Sequence, residues 1–265
     1  NKFLFYLFPF LLGLITSFSL TPYNIIIINF ISFPLFFIFF VSNFNKNKWL
    51  SFKIGWLFGL GYFISSLYWI TNALTFDNQF QNLIPIAFIV IPSFFALFYG
   101  LTTLTCYFFN LKKNFSSILI FSTIFSLTEF LRGFILGGFP WNLNAFSWVN
   151  YISFVQIISI IGTYSFNLLS ITIFLFPSIL FFKYNLKFKL LSSFFLIFLL
   201  ILNYLYGSTV INNFKKNKYT KISSTIKIIS PKIEIDRYFE NYNPSKIILE
   251  LIELSNPNFQ EKTIF

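Results

Sequence analysis

The chain has 265 residues, of which 56% are hydrophobic and only 10% charged, with a mean hydropathy of +0.73; a soluble domain carries about 25% charged residues, so a water-soluble globular fold is excluded. The net charge of +11 does not point to nucleic acid, because the basic residues stand in short groups between apolar runs and form no single stripe. With no His and one cysteine, Cys106, inside an apolar run, the sequence offers no disulfide framework and no cysteine cluster for a metal, and it lacks the commonest general base; no metal or cofactor is expected.

A hydrocarbon layer of about 30 Å takes about 20 apolar residues in a helix, since lipid offers no partner to an open backbone. Seven stretches qualify: residues 3–20, 25–41, 54–74, 83–109, 115–131, 160–182 and 190–206. The first is not read as a signal peptide, because Thr21 and Pro22 lead straight into another span and no small-residue cleavage site intervenes. Lysines collect on one side of these spans: Lys2, then Lys46, Lys48 and Lys53, then Lys112 and Lys113, then Lys183, Lys187 and Lys189, against Arg132 alone on the other. Cationic loops stay in the cytoplasm, so the N-terminus is expected there. Seven crossings then put the residues after Tyr206 in the periplasm of a bacterium.

The tail changes character. Residues 212–224 are polar, and Thr225 to Ser230 alternates as a strand does before Pro231 stops it. Asn243 is suited to cap a helix with Pro244 at its first position, Ile247, Ile248, Leu251 and Leu254 recur at helical spacing, and Asn256 and Pro257 close it. Residues 262–265 begin another apolar run, so strand, helix and incipient strand read as the opening of an α/β domain. The expected division is a helical membrane domain over 1–206, a linker over 207–224 and a truncated α/β domain over 225–265. The fold class is an α-helical polytopic membrane protein with about seven transmembrane helices, followed by that fragment. The start at Asn1 and the stop inside an apolar pattern at Phe265 suggest a piece of a longer protein.

The loop between the fifth and sixth spans gathers Glu129, Arg132, Gly133, Gly137, Gly138, Phe139, Pro140, Trp141 and Asn142. Two readings stand. In the plainer one, Glu129 and Arg132 make an interfacial ion pair at a helix end while Trp141 and Trp148 join an aromatic belt. In the other, backbone that leaves the helix at membrane depth must be buried in protein or line a cavity, and the loop shapes a lipid-facing site.

Three strings, Glu129-Phe-Leu-Arg132-Gly133, Gly138-Phe139-Pro140-Trp141-Asn142 and Gly162-Thr163-Tyr164-Ser165, resemble the apolipoprotein N-acyltransferases of bacterial lipoprotein maturation. The third span agrees, reading Gly59-Leu60-Gly61-Tyr62-Phe63 and ending Leu67-Tyr68-Trp69-Ile70. The resemblance implies that 225–265 opens a periplasmic nitrilase-like domain in an inner-membrane enzyme. It also implies that an acyl chain passes from a phospholipid to an enzyme cysteine as a thioester, and then to the amino group of a diacylglyceryl-modified lipoprotein cysteine. In that family a Glu, a Lys and a Cys of the nitrilase-like domain do this, and none of those positions falls within this chain. Cys106 is expected to be inert. Glu129, Arg132, Phe139, Pro140, Trp141 and Asn142 are the expected lipid-access residues, joined by Phe239, which stands where the family has Trp. The chain departs from the family at Ser230-Pro231-Lys232, where Gln-Pro-Asn is common, and at Tyr238-Phe239, where Lys-Trp is; Glu234, Asp236 and Glu240 read as a solvated loop. The alternative is a multi-span transporter or channel built on helices broken at Gly and Pro. The absence of mid-span charges and of an inverted repeat disfavours it.

Overall fold

A computed structural model describes residues 2–43, 47–216, 228–229 and 244–256, and the chain divides into two units, Asn1–Lys216 and Asn217–Phe265. The first unit contains helices α1 (Lys2–Thr16), α2 (Asn29–Asn43), α3 (Lys48–Leu67), α4 (Ile84–Phe108) and α5 (Phe115–Arg132). Two short helices follow, α6 (Ile152–Val155) and α7 (Ile158–Ile161), then α8 (Thr163–Leu175) and α9 (Leu186–Lys216). Counting their 3-10 extensions, seven helices among the described residues are long and apolar enough to cross a membrane: Lys2–Ser19, Ile26–Asn43, Lys48–Thr75, Gln81–Phe108, Phe115–Arg132, Thr163–Phe181 and Leu186–Lys216.

Each coincides with one expected span, with shifted ends: the third begins at Lys48, six residues before the expected 54, and the seventh at Leu186, four before 190. The sixth begins at Thr163, because residues 160 and 161 belong to the separate turn of α7. The seventh continues past Tyr206 to Lys216, so residues 207–216, expected to start a polar linker, are helical. No proline interrupts that stretch, and Lys215 and Lys216 in the last turn suit the negative end of the helix dipole. Helix starts follow local chemistry: the Asn47 side chain accepts from the Trp49 N–H at 2.9 Å at the head of α3, and Asn114 accepts from Ser117 at 2.9 Å at the head of α5.

Helix α3 packs along both α1 and α4. Against α1 the backbones nearly touch: a Cβ on Gly61 would overlap the Phe10 carbonyl, and one on Gly13 the Phe58 carbonyl. Small residues permit that approach, which supplies the dispersion contacts that hold helices together where no hydrophobic effect operates between them. The core beneath is aromatic. On α2 the residues Phe33, Phe36, Phe37 and Phe40 share one helical face and are at most 1% exposed. They meet α3 and α5 through Phe36 stacked on Phe58 at 4.1 Å and Phe37 edge-on to Phe121 at 5.3 Å. Helix α9 rests on α6, where the Asn203 amide donates to the Phe154 carbonyl at 3.1 Å and the Phe154 and Tyr204 rings lie 5.7 Å apart.

In the second unit, α10 (Pro244–Ser255) is the helix expected from residue spacing, with Pro244 at its first position. Asn256, at φ 41°, ends it in the left-handed region that Asn tolerates. The expected strand at 225–230 lies outside the described residues apart from 228 and 229. So do the apolar run at 262–265 and residues Glu234, Asp236, Phe239 and Glu240.

Candidate functional site: a clamped loop after the fifth helix

Helix α5 ends at Arg132, and the chain then folds back on its own last turn, with the Phe139 N–H donating to the Arg132 carbonyl at 3.0 Å. The reversal needs Gly138, whose φ is 77° and whose Cβ would overlap the Gly133 carbonyl if it had one. Asn142 takes the left-handed conformation at φ 57° and leads into the 3-10 turn Asn144–Trp148.

What holds this loop is a buried cluster on four of the long helices. Arg132 is 1% exposed, and its Nη1 donates to the Phe139 and Trp141 carbonyls, at 2.8 Å each. Its guanidinium lies over the Phe63 ring of α3, 5.3 Å from the centroid. Glu129, one turn earlier and wholly buried, accepts at Oε1 from the Tyr99 hydroxyl of α4 at 2.9 Å and from the Asn144 amide at 3.1 Å. Its Oε2 accepts from Asn167 of α8. Arg132 Nη2 stands 3.7 Å from Glu129 Oε1, so charge attraction joins the two without a hydrogen bond. Asn167 also accepts from the Ala145 N–H at 2.9 Å, and the Tyr62 hydroxyl of α3 donates to the Asn142 carbonyl at 2.8 Å. Hydrogen bonds to the remaining atoms offset the loss of water around a buried ion pair; here neutral donors surround the carboxylate and loop carbonyls receive Nη1 of the guanidinium, while its Nε and Nη2 are buried without a hydrogen-bond partner. The polar seam continues inward, with Ser147 hydrogen bonded to Asn29 at 2.9 Å and to Ser19 at 3.0 Å.

The structure therefore brings together Glu129, Arg132, Phe139, Trp141 and Asn142. The pair faces neither lipid nor water, since the fold turns both side chains into the helix bundle. The two tryptophans also separate. Trp148 is 6% exposed and stacks on Phe174 at 5.6 Å, so it is core and not belt. Trp141 is 55% exposed, its ring 5.7 Å from Trp69 and 6.3 Å from Phe139, which in turn stacks on Phe95 at 4.5 Å. The loop thus has a polar inner side and an aromatic outer side that carries Pro140 and Trp141. Cys106 is a fully buried free thiol within α4. Reading the sequence overlooked Tyr99, Asn144 and Asn167, and met Tyr62 only as part of the third-span string. The signal existed at Asn167 and Tyr99, because a polar group in a span is costly in lipid and has to find a partner.

The seven apolar helices among the described residues, with a clamped loop where the fifth ends, define a polytopic membrane protein. Residues 12–176 match the profile of the apolipoprotein N-acyltransferase N-terminal domain, more than half of the chain, and the chain belongs to that family. It is 32% identical over 180 residues to the apolipoprotein N-acyltransferase of Brucella melitensis, an alignment covering 64% of this chain and 34% of that protein. To its namesake in Rhodopseudomonas palustris it is 35% identical over 176 residues, covering 64% and 32%. For that of Agrobacterium fabrum the identity is 28% over 208 residues, covering 77% and 38%. The chain spans roughly a third of the length of these relatives.

Proposed function

We propose that this chain is the membrane portion of an enzyme that moves an acyl chain from a membrane phospholipid to the N-terminal diacylglyceryl-cysteine of lipoproteins through a thioester acyl-enzyme. Family membership and the shared name of the relatives support the class. The observation that carries the site is the Arg132 clamp on the Phe139 and Trp141 carbonyls, which fixes the backbone of a loop whose Trp141 ring is exposed. Trp141, Trp69, Phe139 and Phe95 form an aromatic wall suited to lie against acyl chains at the membrane surface, where one end of a ring is apolar and the other wet. Glu129 and Asn142 act by holding the loop and not by touching lipid.

The covalent step needs a general base, a cation for the tetrahedral oxyanion and an exposed thiolate. Cys106, enclosed in α4, supplies none of these, and we assign the step to the nitrilase-like domain that residues 225–265 begin. In this reading the protein sits in the bacterial inner membrane with its N-terminus in the cytoplasm and the residues after α9 in the periplasm. A reporter active only in the periplasm should work when fused after Lys216 and stay silent when fused at Lys113; activity at Lys113 reverses the orientation.

The wall itself is tested by Trp141→Ala in the full-length enzyme. Acyl transfer should fall about ten- to a hundredfold, the scale of lost substrate positioning, with the amount of protein in the membrane unchanged. Undiminished transfer would return Trp141 to a purely anchoring role.

A further inference from the structure

The far end of α5 carries a second feature. Between the heads of α5 and α9 and the end of α8 lies a groove of about 630 Å³, lined by Phe115, Phe176, Phe188, Leu191, Phe195 and Phe198 among others, a volume in the range of ordinary ligand sites. Its walls are tied together. The Phe115 N–H donates to the Tyr184 hydroxyl at 3.0 Å, the Tyr184 ring lies 4.4 Å from Phe188, and Phe115 meets Phe176 edge-on at 6.3 Å. These contacts bring two lysine-bearing loops to one place: Lys112 and Lys113 just before Phe115, and Lys183, Lys187 and Lys189 around Tyr184 and Phe188.

Lys189 reaches back to the Leu180 carbonyl at 2.6 Å, whereas the other four lysines are exposed. No carboxylate is available nearby in sequence, because Glu129 is the only Asp or Glu from residue 78 to residue 233, and it is enclosed with Arg132. The groove is therefore apolar along its length, and four exposed lysines stand on the two loops that lead into its walls. A neutral lipid would leave the lysines unanswered, and a free phosphate would leave the phenylalanines uncovered. Basic pockets between membrane helices recruit anionic head groups in this way.

We propose that this groove holds an anionic phospholipid, with an acyl chain against the phenylalanines and the phosphate against the lysines. The site is separate from the loop described above, since the 18 residues of α5 set Phe115 and Arg132 about 26 Å apart along the helix axis. It does not depend on the acyltransferase reading, and the bound lipid is not the acyl donor.

Native mass spectrometry of the purified full-length protein in micelles containing equal phosphatidylglycerol and phosphatidylcholine of matched chains reads the site directly. Phosphatidylglycerol should be retained about tenfold over phosphatidylcholine, since a few lysines near a head group suffice for that preference. The triple variant Lys112→Gln, Lys113→Gln, Lys187→Gln should bring the ratio close to one. Leu191→Trp keeps every lysine but fills the groove, and is tolerated because Leu191 is 64% exposed; it should abolish retention as well. Soluble glycerol phosphate should displace nothing. Equal retention of the two lipids by the native protein overturns the proposal, and so does full retention in Leu191→Trp, which would reduce the effect to surface charge.

Discussion

Arg132→Met is expected to destabilise the membrane unit by about 3–5 kcal/mol, the cost of removing one partner from a buried ion pair. The substitution keeps an apolar stem and removes the guanidinium, so its effect would come from the polar groups it strands and, to a smaller extent, from the space the guanidinium leaves. The Glu129 carboxylate would keep its neutral donors but lose the cation 3.7 Å away, and the Phe139 and Trp141 carbonyls would lose the donor that holds them at 2.8 Å. Unfolding in mixed micelles should show the lowered midpoint, and limited proteolysis should open the chain between Gly133 and Asn142. The double variant Glu129→Leu, Arg132→Met should recover part of the loss, because it leaves no unpaired charge. Recovery should stay partial, since Tyr99, Asn144 and Asn167 would then have lost their shared acceptor. A wild-type midpoint for Arg132→Met would show that the pair does not hold the loop.

The second large effect is all or none. Residues 1–265 incubated with labelled phospholipid are expected to acquire no hydroxylamine-sensitive label. Their single thiol, Cys106, is 0% exposed, packed within α4 where no lipid carbonyl can approach it and no base stands beside it. A thiol becomes a nucleophile only as an accessible thiolate supported by a base or a neighbouring cation. In the full-length enzyme the label should appear on a cysteine other than Cys106, and Cys106→Ala should leave both labelling and transfer unchanged. A thioester on Cys106 in either protein would sink the assignment of the covalent step to the nitrilase-like domain.

Residue order alone shows that the chain crosses a membrane, roughly where each span lies, and which loop is out of the ordinary. These follow from physics that acts along the chain: bilayer thickness sets span length, and Gly138, Pro140 and Asn142 mark backbone that cannot continue a helix. The same local logic predicted α10, from Pro244 and the spacing of Ile247, Leu251 and Leu254. Which way side chains face is settled by packing. In water the polar side of a helix reveals its outer face, but in lipid both faces are apolar and that signal is lost. Phe36, 1% exposed, and its neighbour Leu35, 37% exposed, look alike in sequence. For the same reason Trp141 and Trp148 could not be told apart, and Glu129 with Arg132 read equally well as a surface pair. Their partners Tyr62, Tyr99 and Asn167 come from helices far apart in the chain, and packing alone brings them together.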